Sequence, residues 1–285
     1  PVRRAPTQAA EPRMSDPIAF IGGGNMARSL IGGLVAQGRD PATIRVAEPV
    51  QALRDALVAD FGIAVFEDGA QAIAGARTWV FATKPQVLRA VCESLAMQAQ
   101  ARKPLVVTIA AGITAAQLER WLGGDVAVVR TMPNTPALLG AGVTGLFATT
   151  QVDPAGREFA ETLLSAAGKT VWIDDEAQMD AVTAVSGSGP AYVFLLAEAM
   201  VDAGIGEGLP RDAARTLTLQ TVLGAARMLT ESDVDAAELR RRVTSPNGTT
   251  QAAIEAFEAG GLRTLVADAI HAARVRGAEL STANE

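Results

Sequence analysis

The residues best suited to chemistry in this 285-residue chain begin with a glycine cluster. Gly22-Gly23-Gly24-Asn25-Met26-Ala27 follows directly on the apolar run Ile18–Ile21 and fits the pattern G-x-G-x-x-A. In that pattern the first glycine, Gly22, takes the tight turn, and Gly24 lets backbone approach a pyrophosphate. Small Ala27 lets the next helix pack on the strand, and that helix's N-terminus offers N–H groups to phosphate oxygens. With 27 glycines in the chain such a match arises by chance. Its position between a strand and an amphipathic helix makes it a dinucleotide signal. Glu48 ends the next β-rich run, at about the spacing of an acid that binds a ribose diol. A carboxylate there accepts from the diol and repels a 2′-phosphate, which favours NADH. Arg28 and Arg54 lie close in sequence and could offset that repulsion, so NADH against NADPH stays open.

Groups that move protons are scarce. The chain has one histidine, His271, one tyrosine, Tyr192, and three lysines, Lys84, Lys103 and Lys169, none of them in the C-terminal region. Oxidising an alcohol calls for a positioned His, Lys or Tyr. His271, among Ala269, Ile270, Ala272 and Ala273, reads as a partly packed residue without a proton-transfer role, and Tyr192 as core. Hydride transfer to an already protonated imine needs no such acid, because the cationic nitrogen is the electron sink. The poverty of acids and bases therefore points to C=N reduction rather than C=O reduction.

A holder for the substrate is visible in Ser245-Pro246-Asn247-Gly248-Thr249-Thr250, which joins the basic end Arg240-Arg241-Arg242 to another amphipathic segment. Gly248 is expected to allow an unusual turn, and Thr249 or Thr250 to cap the following helix. Exposed amides and two hydroxyls at a helix start make a cradle for a small carboxylate. The plain alternative is an ordinary capped helix entry. Ser186-Gly187-Ser188-Gly189-Pro190 likewise reads either as a helix-to-helix turn or as a pocket lining.

The elements that must position these residues fall into two halves. Strands are expected at Ile18–Ile21, Ile44–Ala47, Ala64–Phe66, Thr78–Ala82, Leu105–Ile109 and Val126–Arg130, with Val143–Ala148 and Thr170–Ile173 extending the sheet. Helices of about ten residues separate them, and the strands are apolar throughout, the mark of a parallel sheet covered on both faces. After Asp174 only helical runs follow, over 179–186, 191–203, 211–230, 236–244, 250–259 and 262–280. The expected domains are therefore 14–173, a Rossmann-type α/β parallel-sheet domain, and 174–285, an all-α substrate-binding and dimerisation domain. Residues 1–13 read as a disordered arm or expression remnant ahead of Met14. The helix over Tyr192–Val201 is apolar almost all round, so it is expected to be buried in a bundle or between subunits.

Composition sets the outer bounds. Lys and Arg total 25 against 31 Asp and Glu, a formal charge of −6, and the pI near 5.0 argues against a nucleic-acid partner. The lone Cys92 excludes an intrachain disulfide and, with a single histidine, a Cys- or His-based metal site, so no metal is expected and a cytoplasmic setting fits. The longest purely apolar run covers 191–197, short of the roughly 18 residues a bilayer span needs, so no membrane partner is expected.

Five segments, in order, resemble pyrroline-5-carboxylate reductases: GGGNMA from Gly22, Phe81-Ala82-Thr83-Lys84-Pro85-Gln86, Arg130–Pro136 (RTMPNTP), SGSGPAY over Ser186–Tyr192 and SPNGTT over Ser245–Thr250. The resemblance spans about residues 17–281. It implies NADPH- or NADH-dependent reduction of 1-pyrroline-5-carboxylate to L-proline, the last step of proline biosynthesis. It implies Thr250 as the catalytic residue, bonded to the ring nitrogen, with Ser245, Gly248, Thr249 and the Thr250 amide receiving the carboxylate. It further implies Gly22, Gly24, Asn25 and Met26 at the pyrophosphate, Ala82, Lys84 and Pro85 beside the cofactor, and Asn134 and Thr135 on the nicotinamide side. Homodimers through the helical domains, often assembled into pentamers of dimers, would complete each substrate site from a second subunit. Asn247 stands where a glycine is common, and the loop is expected to survive because Asn tolerates a left-handed backbone. Competing readings are a β-hydroxyacid dehydrogenase, which would need a lysine in the helical region, and a catalytically silent NAD(P) sensor.

Overall fold

The computed structural model describes residues 15–283, so the arm over residues 1–13 lies outside the described residues. Two compact units result: one holds the residues through Gly187 together with those from Ala273 onward, the other Ser188–Ala272.

The first unit is built on an eight-stranded sheet of order β3-β2-β1-β4-β5-β6-β7-β8. Its elements in chain order are β1 (Ile18–Ile21), α1 (Asn25–Ala36), β2 (Ile44–Ala47), α2 (Gln51–Phe61), β3 (Ala64–Phe66), α3 (Gly69–Ala72), β4 (Thr78–Phe81), α4 (Pro85–Arg102), β5 (Leu105–Thr108), α5 (Ala115–Trp121), β6 (Ala127–Met132), β7 (Gly142–Ala148), α6 (Pro154–Ser165), β8 (Gly168–Trp172) and α7 (Met179–Val182). The strand side chains alternate between two cores, as a period of two demands. Ile18, Phe20, Ile44, Val46, Val107 and Val129 pack with Leu30, Ile31 and Leu34 of α1 and Leu163 of α6. Ala19, Ile21, Trp79, Phe81, Val106 and Val128 pack with Leu88, Cys92 and Leu95 of α4 and Leu118 of α5. Both faces are covered, which is why the strands read as unbroken apolar runs.

One strand pair departs from the expected parallel sheet. β7 runs antiparallel to β6, with Val129 opposite Ala148 and Met132 opposite Gly145. The connection explains it: a 3₁₀ turn over Thr135–Leu139 fills most of the link, too short for the dozen or more residues of a parallel crossover. β8, reached through α6, is parallel to β7 again.

The second unit consists of α8 (Gly189–Gly206), α9 (Arg211–Glu231), α10 (Ala236–Arg242), α11 (Thr249–Ala259) and the first half of α12 (Leu262–Ala283). The break between units falls at Ser188 rather than at the expected Asp174, and side-chain contacts supply the reason. The Glu176 carboxylate accepts from Arg130 Nη1 at 2.9 Å and from the Ala115 amide at 2.7 Å. Asn134 Nδ2 donates to the Ser186 carbonyl at 3.1 Å. Val182 sits so close to Gly145 that a Cβ there would lie 2.5 Å from its Cγ1. The tail of α12 is tied in by Gln117 Nε2 donating to the Ser281 carbonyl at 3.2 Å.

Three local expectations also change. The Ser186–Pro190 segment is no open turn: residues 183–187 form a π-helical turn and the chain stays helical from Glu176 to Gly206. The apolar helix Tyr192–Val201 is not enclosed by its own bundle, since Phe194 is 67% and Leu195 66% exposed, and Tyr192 is half-buried rather than core. His271, expected to be partly packed, is exposed. The Glu176–Gly206 helix contains an 18-residue stretch of mean hydropathy 1.3, long and apolar enough to cross a bilayer, so the shortness of each apolar run did not exclude such a helix.

Candidate functional site

The parallel strands β1, β2, β4, β5 and β6 end on one edge, and the sequence-predicted cofactor residues gather there. Gly22 leaves β1 with φ +107°, and its amide donates to the Ala47 carbonyl at 2.8 Å. A Cβ on Gly22 would lie 2.6 Å from the Ala82 carbonyl oxygen, so turn and close packing both require glycine. Ala82 extends the β1–β4 pairing through its amide to Ile21, at 2.8 Å. Lys84 is exposed and forms the N-cap of α4, with Pro85 in the first turn where a missing N–H costs nothing.

Around Gly24 the geometry is the reverse. A Cβ there would meet nothing within 4 Å, so the backbone has beside it the open space that a pyrophosphate would need. Gly24 is also the N-cap of α1, and no side chain caps that helix. The amides of the first turn, at exposed Asn25 and half-buried Met26, therefore remain for phosphate oxygens. Ala27 is 1% exposed, packed in the first core as the motif predicts. These observations fit a bound dinucleotide.

Glu48 is buried, and its carboxylate faces the glycine loop. Oε2 accepts from the Gly23 amide at 2.9 Å and Oε1 from the Val50 amide at 2.9 Å. Gly23, which the sequence reading left unassigned, is fixed by that contact: a Cβ there would sit 3.2 Å from the Glu48 Cβ and 2.8 Å from Leu57 Cδ1. The glycine filling the first free position of the motif was the available signal. Thr83, also unassigned, keeps its hydroxyl buried without a partner at the end of β4.

Asn134 is nearly buried and spends both ends of its amide within the first unit. Oδ1 accepts from the Val143 amide at 2.9 Å while Nδ2 serves Ser186. It holds the β6 end to β7 and the π-turn, so its side chain braces this edge of the sheet. Thr135 opens the neighbouring 3₁₀ turn and is exposed. Cys92 lies in the second core, where burial pushes its thiol up to about 12, helped by Glu93; it is no nucleophile at neutral pH.

The remaining site residues belong to the second unit. The Gly248 amide donates to the Ser245 carbonyl at 3.0 Å, with Pro246 and Asn247 between them. Asn247 has φ +58°; proline followed by a positive φ is the signature of a type II turn. The unusual backbone thus belongs to Asn247. Gly248 is extended at φ −87°, and its constraint is proximity, a Cβ there falling 3.1 Å from the Ser245 oxygen. α11 starts without any side-chain cap, so the expected threonine cap is absent and the first-turn amides at Thr249 and Thr250 stay open. Gln251 folds back to accept from the Asn247 amide at 2.8 Å, which steadies the turn. Ser245 and Thr249 are exposed and Thr250 half-buried.

A doubly covered sheet with this glycine loop, followed by a helical unit, defines a nicotinamide-dinucleotide oxidoreductase. Profiles agree: one described as NADP oxidoreductase coenzyme F420-dependent matches residues 17–112, and one described as pyrroline-5-carboxylate reductase dimerisation matches residues 176–280. The chain belongs to the pyrroline-5-carboxylate reductase family. It is 58% identical to the Pseudomonas aeruginosa pyrroline-5-carboxylate reductase over 94% of this chain and 98% of that one. The Haemophilus influenzae enzyme is 42% identical over 93% of this chain and 97% of its own length. Among solved structures, a pyrroline-5-carboxylate reductase from Coxiella burnetii superimposes with a TM-score of 0.91 at 43% identity, covering 94% and 99% of the two chains. A Plasmodium falciparum pyrroline carboxylate reductase with NADP bound gives 0.81 at 25% identity, covering 95% and 100%.

Proposed function

We propose that the chain reduces 1-pyrroline-5-carboxylate to L-proline with NADH or NADPH, the closing step of proline biosynthesis, and that Thr250 is its catalytic residue. The observation that carries this reading is the uncapped start of α11, whose open amides and threonine hydroxyls follow the SPNGTT turn in a chain of this family. Ser245, Gly248, Thr249 and the Thr250 amide take the substrate carboxylate, where the helix dipole adds to the attraction. The Thr250 hydroxyl bonds the ring nitrogen and sets the angle at which the imine carbon is presented. The nicotinamide supplies the hydride. Gly22, Gly24 and the amides of Asn25 and Met26 seat its pyrophosphate, with Ala82, Lys84, Pro85 and Thr135 beside it, and Asn134 stiffens that wall.

No side-chain acid is asked for, because the imine nitrogen carries its proton on arrival. Exposed His271 supports that reading, as does the position of all three lysines outside the second unit. A hydroxyacid dehydrogenase would need a lysine there, and a silent sensor would bind cofactor without turnover. The helical segment 174–285 acts as the substrate-binding and dimerisation domain. The apolar faces of α8 and α9 meet a second copy of the chain rather than lipid. Each substrate site is completed by that copy, the dimers assemble further into pentamers of dimers, and the enzyme works in the cytoplasm. The test is oxidation of NADH and of NADPH with the cyclic imine as acceptor: turnover yielding proline is expected, and cofactor binding without turnover would refute the assignment.

A further inference from the structure

We propose that Glu48 makes this enzyme selective for NADH by occupying the place of the 2′-phosphate with a resident carboxylate. The proposal rests on the reductase reading above and sharpens it. In a sheet of this type the adenosine ribose lies against the end of β2, where an acid bonds the 2′-hydroxyl or a nearby arginine accommodates a 2′-phosphate. Here the amides of Gly23 and Val50 already point at the two Glu48 oxygens, each at 2.9 Å. Each oxygen keeps a further lone pair, enough to accept from a ribose diol. A dianionic phosphate would find those amides taken and a negative charge in place.

The two arginines that might offset the carboxylate are engaged elsewhere. Arg28 pairs with Asp60 of α2 and lies over the Phe61 ring, 5.4 Å from its centroid. Arg54 donates to the Glu48 carbonyl at 2.6 Å and the Pro49 carbonyl at 2.9 Å, and its other nitrogen serves Gln51. Arg54 therefore clamps the backbone of the loop that carries the carboxylate, and Arg45, nearer in sequence, donates to the Ala72 and Gln71 carbonyls instead. Packing fixes the carboxylate as well, since the Glu48 stem abuts Gly23.

The experiment measures both cofactors in two ways on the whole enzyme: by calorimetric titration of NADH and NADPH without imine, and by kcat/KM with imine. The unmodified chain is expected to prefer NADH at least tenfold in both. Glu48→Gln, which keeps the shape and removes the charge, should shrink that preference at least tenfold, chiefly by tightening NADPH, whereas Glu48→Asp should retain it. Equal or better binding of NADPH by the unmodified chain would overturn the proposal. So would a Glu48→Gln variant that loses both cofactors in equal measure, since that result describes a loop brace and no selector. If the imine proves not to be the substrate, turnover fails with both cofactors, while the titrations still decide the role of Glu48.

Discussion

The two units of this chain use similar proportions of apolar residues to opposite ends. In the first, Phe20, Trp79, Phe81, Leu30 and Leu88 are all fully buried. In the second, the buried residues are small, Ala197, Ala214 and Thr218, while Phe194, Leu195, Leu217 and Leu265 stand more than half exposed. The first unit buries its core within one chain. The second leaves large apolar side chains uncovered, the kind of exposure that marks an interaction site, in the segment matched by the dimerisation profile. Two concavities of this unit, about 720 and 410 Å³, are open grooves lined by Met228 and Leu239 or by Phe257 and Val266, and neither includes Thr250. If the proposed sites hold, cofactor binding is a property of one folded chain and substrate binding a property of the assembly.

The largest expected effect breaks that division at its weak side. Placing two charges on α8 by Phe194→Asp with Leu195→Asp should reduce the oligomer to monomer in light scattering and cut turnover at least a hundredfold, with NADH affinity of the first unit kept within about threefold. Met97→Asp, at an 83% exposed site on the first unit, should change neither mass nor rate. An unchanged oligomer in the double variant would remove α8 from the interface. Gly22→Ala attacks the other side. A Cβ forced against the Ala82 carbonyl at φ +107° requires the loop to move, a strain of about 1–3 kcal/mol or more. Cofactor affinity should fall by roughly tenfold to a hundredfold while the oligomer persists.

Thr250→Ala comes next, an expected loss of roughly tenfold to a hundredfold in kcat/KM, or about 1.4–2.7 kcal/mol of transition-state contact. Steady-state kinetics with unchanged efficiency would remove its role at the nitrogen. His271→Ala is the matched control from α12, expected to leave the rate at neutral pH unaltered. A collapse in turnover with intact folding would reveal an overlooked proton donor.

Much of the first unit was legible because its signals are local. Runs such as Ile18–Ile21 and Leu105–Thr108 are strands by composition, and Gly22–Ala27 announces its own backbone. What escaped notice depends on contacts distant in sequence. The antiparallel β7 follows from a link too short for a parallel crossover, a length that is settled only once both strand ends are known. The unit boundary at Ser188 depends on Glu176 reaching Arg130 and Ala115. In the Ser245–Thr250 turn the unusual backbone expected at Gly248 belongs to Asn247 alone, in line with the expectation that Asn there tolerates a left-handed backbone, because proline at 246 puts the positive φ one residue on. The motif places Asn134 on the nicotinamide side; that its amide also braces Val143 and Ser186 is visible only in the fold.

The smallest prediction sharpens the comparison through acidity. In the first unit burial raises the Glu119 carboxyl above its ordinary 4.5, with Asp125 and then Glu176 adding to the shift, and its Oε1 has no partner. In the second unit Glu238 is lowered by hydrogen bonds from Arg241 and Arg242, and Glu258 by one from Arg263. The signs oppose each other. A raised acid favours the folded state below about 4.5, and that contribution is lost as pH climbs through the folded value, so ionised Glu119 is a burden at neutrality. A lowered acid stabilises above 4.5 and loses that contribution as pH falls through its depressed value. Glu119→Gln should therefore raise the melting temperature at pH 7 by about a degree or two, modest because part of the side chain meets solvent, and the gain should vanish toward pH 4. Glu238→Gln should lower it at pH 7, with that difference vanishing only at more acidic pH. Thermal melts of both variants across this range decide the matter, and a Glu119→Gln gain that grew on acidification would show that the buried carboxylate is stabilised by a partner.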